Sequence, residues 1–206
     1  MKIIQGKGAS MSLLNRLIEQ AKNPRGLVGS IMLSIMNNAH NGMNNWALEL
    51  VKVRDDAVML DIGTGGGQTL YKMSKIIMSG KLFGIDYSED AVKKSIKLNK
   101  MDVEKGKTYI QQASVSKLPF AEKTFDLITA FQTHYFWPDL ENDVKEVYRV
   151  LKQGGTFVMV AELYKINYHM KSYKTKEELE HLFNKLGFES VHFYESKGWL
   201  CTLGVK

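Results

Sequence analysis

Cysteine is almost missing: Cys201 stands alone among 206 residues. One thiol excludes an intramolecular disulfide framework and any zinc site built on several cysteines, and it suits a reducing compartment. Long apolar runs are missing too. The longest, Leu27 to Met36, is interrupted by Gly29, Ser30 and Ser34 and is too short to cross a bilayer. The opening MKIIQGKGAS has no apolar stretch of the kind a secretory signal carries. The expectation is a soluble, cytoplasmic protein with no membrane partner. Internal repeats and low-complexity linkers are absent, and charge is not concentrated. Lys and Arg outnumber Asp and Glu by 28 to 22, a net charge of +6. The lysines are scattered among acids, and the basic stretch from Lys93 to Lys107 has the spacing of an ordinary helix face. A nucleic-acid partner would want clustered basic residues with interleaved aromatics, so none is expected.

What is present is an ordinary globular composition, 44% hydrophobic and 24% charged, in a length that suits one α/β domain over residues 1–206. The chain is organised around VMLDIGTGGGQTL, residues 58–70. Val58, Met59, Leu60 and Ile62 form the short continuous apolar run of a parallel strand buried on both faces. Gly63, Gly65 and Gly67 then turn the chain sharply into a helix and let a ligand approach the main chain. Asp61 sits at the mouth of the strand. A dinucleotide site with G-x-G-x-x-G spacing would put its third glycine where this chain has Gln68.

The spacing of Asp61, Gly63, Gly65 and Gly67 instead resembles D/E-x-G-x-G-x-G, the first motif of the class I S-adenosylmethionine (SAM)-dependent methyltransferases. Lys81 to Asp86 reads as the second strand. A carboxylate at its end, about 20 residues beyond the glycines, can accept both hydroxyls of a ribose. Tyr87 follows, where the family often sets a side chain against adenine, and Ser88 caps a helix that runs to about Met101. Thr108 to Gln112 is a third strand and Phe125 to Phe131 a fourth. Between them, Leu118, Pro119 and Phe120, followed by Phe125 and Asp126, resemble the G-D-A-x-x-L-P-F and F-D segments of enzymes similar to the ubiquinone-biosynthesis type, the methyltransferase type 11 group. Ser114 stands where that group often has the aspartate that accepts from the adenine amino group. A hydroxyl accepts the same bond without charge.

FQTHYFWPD follows the fourth strand, where ligands of open α/β sheets lie. His134 and Tyr135 are the candidate catalytic residues if the acceptor must lose a proton, with a packed histidine the competing reading for His134. Asp139 to Leu151 is an amphipathic helix, and RVLKQGG resembles the family's R-x-L-K-P-G-G helix exit before the fifth strand, with Gln153 in place of proline. Tyr164, Tyr168, His169 and Tyr173 alternate with lysines in a stretch that suits an acceptor-site loop and a surface connection equally. Thr175 and Glu178 form a capping box, Gly187 ends the last helix, and residues 188–194 and 198–204 close the chain as an antiparallel pair. Residues 10–54 read as helical. Within them Asn37 to Asn45 is either a solvated connection with Asn44 or Asn45 as helix cap, or a lid whose asparagines and His40 face a polar acceptor.

The resemblance covers residues 55–204. It implies a Rossmann-like α/β fold: a seven-stranded, mostly parallel sheet in a three-layer α/β/α arrangement with a C-terminal antiparallel hairpin, here with a helical N-terminal cap over 1–54. It implies SAM as methyl donor and S-adenosylhomocysteine (SAH) as product. The cofactor residues would be Asp61, Gly63, Thr64, Gly65, Gly67, Asp86, Tyr87, Ser114, Val115 and Phe131, and the acceptor residues His40, Asn41, Trp137 and Tyr164. No ligand cluster suggests a metal. The favoured function is methyl transfer to a small molecule. The alternatives are an RNA or protein methyltransferase, a SAM-binding regulator without catalysis and, opposed by Gln68, an NAD oxidoreductase.

Overall fold

The computed structural model describes residues 41–206. His40 and most of the expected helical cap lie outside them. Residues 41–49 are helical (α1). Seven strands follow with order β3-β2-β1-β4-β5-β7-β6. They are β1 (Val58–Ile62), β2 (Lys81–Asp86), β3 (Thr108–Gln112), β4 (Phe125–Phe131), β5 (Leu151–Glu162), β6 (Ser190–Ser196) and β7 (Trp199–Val205). Neighbours among β1 to β5 run parallel, and β7 lies antiparallel between β5 and β6. The helices are α2 (Gln68–Met73), α3 (Glu89–Leu98), α4 (Lys100–Glu104), α5 (Leu140–Val150), α6 (Leu163–His169) and α7 (Lys176–Leu186).

The alternation of side chains along each strand sorts the core into two layers. From β1, Leu60 and Ile62 join Phe125, Phe157, Val144, Leu179 and Phe183 on the face covered by α5 and α7. Met59 joins Met43, Ala47, Leu70, Met73 and Val160 on the other, against α1 and α2. Both faces of β1 are therefore covered, as its unbroken apolar run requires. Asp61 follows Met59 onto the α2 side, where burying it demands compensation.

Several local expectations are corrected. The LKQGG segment is not a helix exit: β5 begins at Leu151, directly after α5. Phe125 pairs with Leu151 and Leu127 with Thr156, so residues 152–155 bulge opposite Asp126 alone. Lys152 Nζ donates to that aspartate at 2.8 Å, and Gly154, at φ 71, bonds through its N–H to the Lys206 carbonyl at 2.6 Å. Residues 163–169 form α6 rather than a loop, because Ile166 is buried and holds the turn against the core. Asn44 and Asn45 lie inside α1 rather than capping it. The helix after Ser88 stops at Leu98, and Asn99 (φ −98, ψ 19) separates it from α4.

The capping box is as expected: Thr175 Oγ1 accepts from Glu178 N–H at 3.2 Å, and Glu178 Oε2 accepts from Thr175 N–H at 3.1 Å. Thr175→Ala removes one partner and should cost about 1 kcal/mol, read as a lower denaturation midpoint in urea with unchanged slope.

Candidate functional site

β1 pairs with β2 on one side and with β4 on the other, so the chain reverses its direction of travel across the sheet at the β1/β4 boundary. Ligands of such sheets settle at the carboxyl ends of the strands flanking this point. The glycine turn stands there. Gly63, Gly65 and Gly67 have φ of 71, 52 and 82, a left-handed region in which a Cβ is strained. Space is short as well: a Cβ on Gly63 would lie 2.5 Å from Thr133 Cγ2, at the start of the segment after β4. The two loops that flank the reversal thus touch, and glycine is what lets them.

The turn is fastened to the end of β2. The N–H groups of Gly63 and Thr64 both donate to the Ile85 carbonyl, at 2.8 and 3.0 Å. Gly65 N–H donates to Asp86 Oδ2 at 2.8 Å. Asp86 Oδ1 accepts from Ser88 N–H at 2.9 Å, which joins the carboxylate to the first turn of α3. Burial raises the Asp86 pKa, and these backbone donors oppose the shift. Each carboxylate oxygen has a second lone pair, so two further hydroxyl donors still find acceptors.

Asp61 faces the same neighbourhood. It is only 2% exposed, and Thr129 Oγ1 donates to its Oδ1 at 2.6 Å across β1 and β4. Burial pushes its pKa up to about 7, and the negative charge of Asp86 adds to the shift. A buried acid kept near neutrality by its surroundings favours a cation beside it.

The other expected cofactor residues scatter around this centre. Thr64 is buried in the turn, and Tyr87 is 64% exposed just past Asp86. Ser114 caps a short 3-10 helix, its Oγ accepting from Ser116 N–H at 3.3 Å. Val115 turns its side chain into the core, leaving only its backbone for a ligand, and Phe131 packs on the α1 side of the sheet.

The expected catalytic and acceptor residues are more occupied. His134 and Tyr135 lie in a 3-10 helix after β4, and both are buried. Neither His134 nitrogen has a hydrogen-bond partner among the described residues. Burial pushes its pKa down to about 3, so the ring is neutral through the physiological range and weakly basic. The Tyr135 hydroxyl donates to Gln132 Oε1 at 2.8 Å, its ring stacks on His169 at 5.2 Å, and burial raises its pKa, helped by the Glu162 charge. Trp137 donates from Nε1 to Thr133 Oγ1 at 3.0 Å and lies parallel to Phe157 in the core. Asn41 accepts from Lys72 Nζ at 3.1 Å, bridging α1 to α2, whereas Tyr164 on α6 is 64% exposed.

Four residues outside the expected set complete the setting: Gln132, Thr133, Glu162 and Asn99. Gln132 has φ 59, rare for a residue with a side chain, at the end of β4. Its Nε2 donates to Glu162 Oε2 at 3.0 Å and lies 3.3 Å from Met43 Sδ, so one buried amide ties β4 to β5 and α1. Glu162 also pairs with Lys165 at 2.6 Å. Only position just past β4 could have pointed to Gln132 and Thr133; nothing local marked Asn99, whose Nδ2 donates to the Gly67 carbonyl at 3.1 Å. Among the described residues no group of three or more His, Cys, Asp or Glu could hold a metal, and no helix is long and apolar enough to cross a membrane.

Comparison with known proteins agrees with this fold. Residues 60–159 match the model of a methyltransferase domain. The sterol 4-C-methyltransferase strm-1 of Caenorhabditis elegans is 31% identical over 146 residues, covering 70% of this chain and 42% of that protein. A demethylmenaquinone methyltransferase of Desulfitobacterium hafniense is 30% identical over 118 residues, 57% of this chain and 47% of that protein. The chain thus spans less than half the length of either relative. A solved SAM-dependent methyltransferase from Aquifex aeolicus shares the fold, with TM-score 0.65 at 18% identity over 78% of this chain and 88% of that one. Residues 60–159 are accordingly similar to a methyltransferase domain, on a fold shared with a solved SAM-dependent methyltransferase.

Proposed function

We propose that this chain transfers a methyl group from SAM to a small-molecule acceptor, and that SAM lies over the glycine turn between β1 and β4. The bond from Gly65 N–H to Asp86 Oδ2 at 2.8 Å carries the reading, because it brings the glycine turn against a carboxylate able to receive a ribose. Asp86 would accept from both ribose hydroxyls. Tyr87 would offer its ring to adenine, the Ser114 hydroxyl would accept from the adenine amino group, and the Val115 N–H would meet a ring nitrogen. Asp61 would answer the positive charge of the amino acid portion, and Thr64 and Phe131 would border it.

SAM supplies, when bound, a methyl group already activated by a sulfonium. The protein's share is then to hold the acceptor in line with it, at roughly 3 to 3.5 Å, and to exclude water. The neutral His134 ring suits a hydrogen-bond partner better than a proton acceptor, and Tyr135 suits the wall of the site. A carbon or sulfur nucleophile, or one that ionises without help, fits these groups best. The sterol and demethylmenaquinone acceptors named for the relatives support a small-molecule acceptor, as does the scatter of lysines over the sequence.

Calorimetry should give a Kd for SAM and SAH in the micromolar range and no heat with NAD. Label from methyl-tritiated SAM should pass to a component of a small-molecule extract of the native host. NAD binding without SAM binding would reject the reading, and SAM binding with no labelled product in any extract would favour the regulator.

A further inference from the structure

We infer that Asn99 is a positioning residue for the cofactor: acting through Gly67, it holds the glycine turn in register with Asp86 and so sets the affinity for the adenosyl group. The inference rests on the proposed SAM site. Its basis is a closed circuit of bonds. Asp86 receives Gly65 N–H on one oxygen and Ser88 N–H on the other. Ser88 begins α3 as its cap, with its hydroxyl oxygen accepting from Ala91 N–H at 3.3 Å. Ten residues of helix carry the chain to Asn99, whose Nδ2 donates to the Gly67 carbonyl at 3.1 Å and to Ser95 O at 3.0 Å. Gly67 closes the circuit by donating its N–H to Thr64 O at 2.8 Å, inside the turn that Gly65 shares. α3 is therefore a strut with one end on the ribose carboxylate and the other on the turn above it.

Two features make Asn99 more than packing. It is 2% exposed, and its Oδ1 has no hydrogen-bond partner among the described residues, as is true of the neighbouring Ser95 Oγ. Burying an amide with half its capacity unmet is costly, so an apolar residue would serve a purely structural role better. Contact is also tight. A Cβ on Gly67 would collide with Ser95 Oγ and lie 2.5 Å from Asn99 Nδ2, so any displacement of Asn99 is passed directly to the turn. The Gly67 carbonyl also receives Tyr71 N–H at 3.0 Å, which makes the same atom the start of α2.

The test measures the Kd for SAH by calorimetry and the thermal midpoint of the full chain, for the unaltered protein and for Asn99→Ala, Asn99→Asp and Val92→Ala. Val92 lies on α3, is 7% exposed and has a side chain that makes none of the circuit's hydrogen bonds, so its truncation reports what loss of helix packing alone does. Asn99→Ala should raise the Kd for SAH by about tenfold, the scale of one lost hydrogen bond to a fixed group, while Val92→Ala stays within about twofold. Asn99→Asp keeps the shape and loses the donor when ionised. Its affinity relative to the unaltered chain should recover as pH falls and the new carboxyl gains a proton to donate to Gly67. Asn99 variants that bind SAH as the unaltered chain does, a Kd ratio for Asn99→Asp that ignores pH, or an equal loss in Val92→Ala would each overturn the inference while leaving the SAM site standing. Failure of the unaltered chain to bind SAH would remove the site and the inference together.

Discussion

Asp86→Ala should weaken SAH binding by about a hundredfold or more, the largest loss expected from a single substitution outside the core. The carboxylate does two things at once. It would supply both acceptors for the ribose, each a charge-assisted hydrogen bond worth about 1.5 to 3 kcal/mol. It also receives Gly65 N–H and Ser88 N–H, so its removal frees the glycine turn from β2 and the start of α3. Asp86→Asn separates the two parts. The amide keeps one acceptor and should retain part of the turn's order while losing charge, giving an intermediate Kd. Binding should also weaken as pH falls, because a neutral carboxyl accepts poorly. Burial raises the Asp86 pKa, so this loss begins at a higher pH than an exposed aspartate would show. Calorimetry from pH 8 to pH 5 reads all three effects, and a Kd for Asp86→Ala equal to that of the unaltered chain would remove Asp86 from the site.

Asp61→Asn should move stability and binding in opposite directions. In the folded chain burial holds the Asp61 pKa at about 7, well above its ordinary value of 3.8. A group whose folded pKa is raised binds its proton more tightly in the fold. Its stabilising contribution is complete below about pH 4 and is lost as pH rises through about 7. At pH 8 the chain without cofactor therefore carries a buried carboxylate relieved chiefly by the Thr129 hydroxyl. Asparagine keeps an acceptor for Thr129 and discards the charge, so the midpoint at pH 8 should rise by roughly 5 °C and at pH 4 change little. The same exchange should weaken SAM binding by about tenfold at pH 8, since the cofactor's positive charges lose their nearest buried partner. A binding cation would in turn lower the Asp61 pKa, so SAM binding near pH 7 should release protons, seen as heats that vary with the buffer's ionisation enthalpy. An unchanged pH profile of stability in Asp61→Asn would contradict the assignment of that buried charge.

The parts of the candidate site that sequence displays are those whose chemistry is local. Three glycines within five residues, at the end of an apolar run, are needed wherever the backbone turns at positive φ, and all three do so here. Asp86 was visible because a strand of six residues ends on it, and the Thr175 capping box because its two partners lie three residues apart. The parts that were hidden depend on neighbours distant in the chain. Gln132 is held by Glu162, thirty residues later, and Asn99 by Gly67, thirty-two residues earlier, and neither distance has a periodicity to reveal it. Sequence leaves His134 between a base and a packed histidine, because histidine titrates near neutrality wherever it is exposed; the fold shows that it is 2% exposed, with its pKa held down. Residues 163–169 misled for a different reason. Their tyrosines and lysines have no preference between loop and helix, and the single buried anchor, Ile166, decides the matter through contact with the core. The LKQGG segment was hidden by its bulge, since a strand that sets residues 152–155 against Asp126 carries no alternating pattern.

The measurement that bears most directly on the cofactor assignment is a crystal structure of the chain with SAH. The ribose should lie against Asp86, with both hydroxyls about 3 Å from its carboxylate oxygens and the homocysteine portion running over Gly63 and Gly65 toward Asp61. Density for SAH elsewhere in the molecule, or a ribose without contact to Asp86, would contradict it.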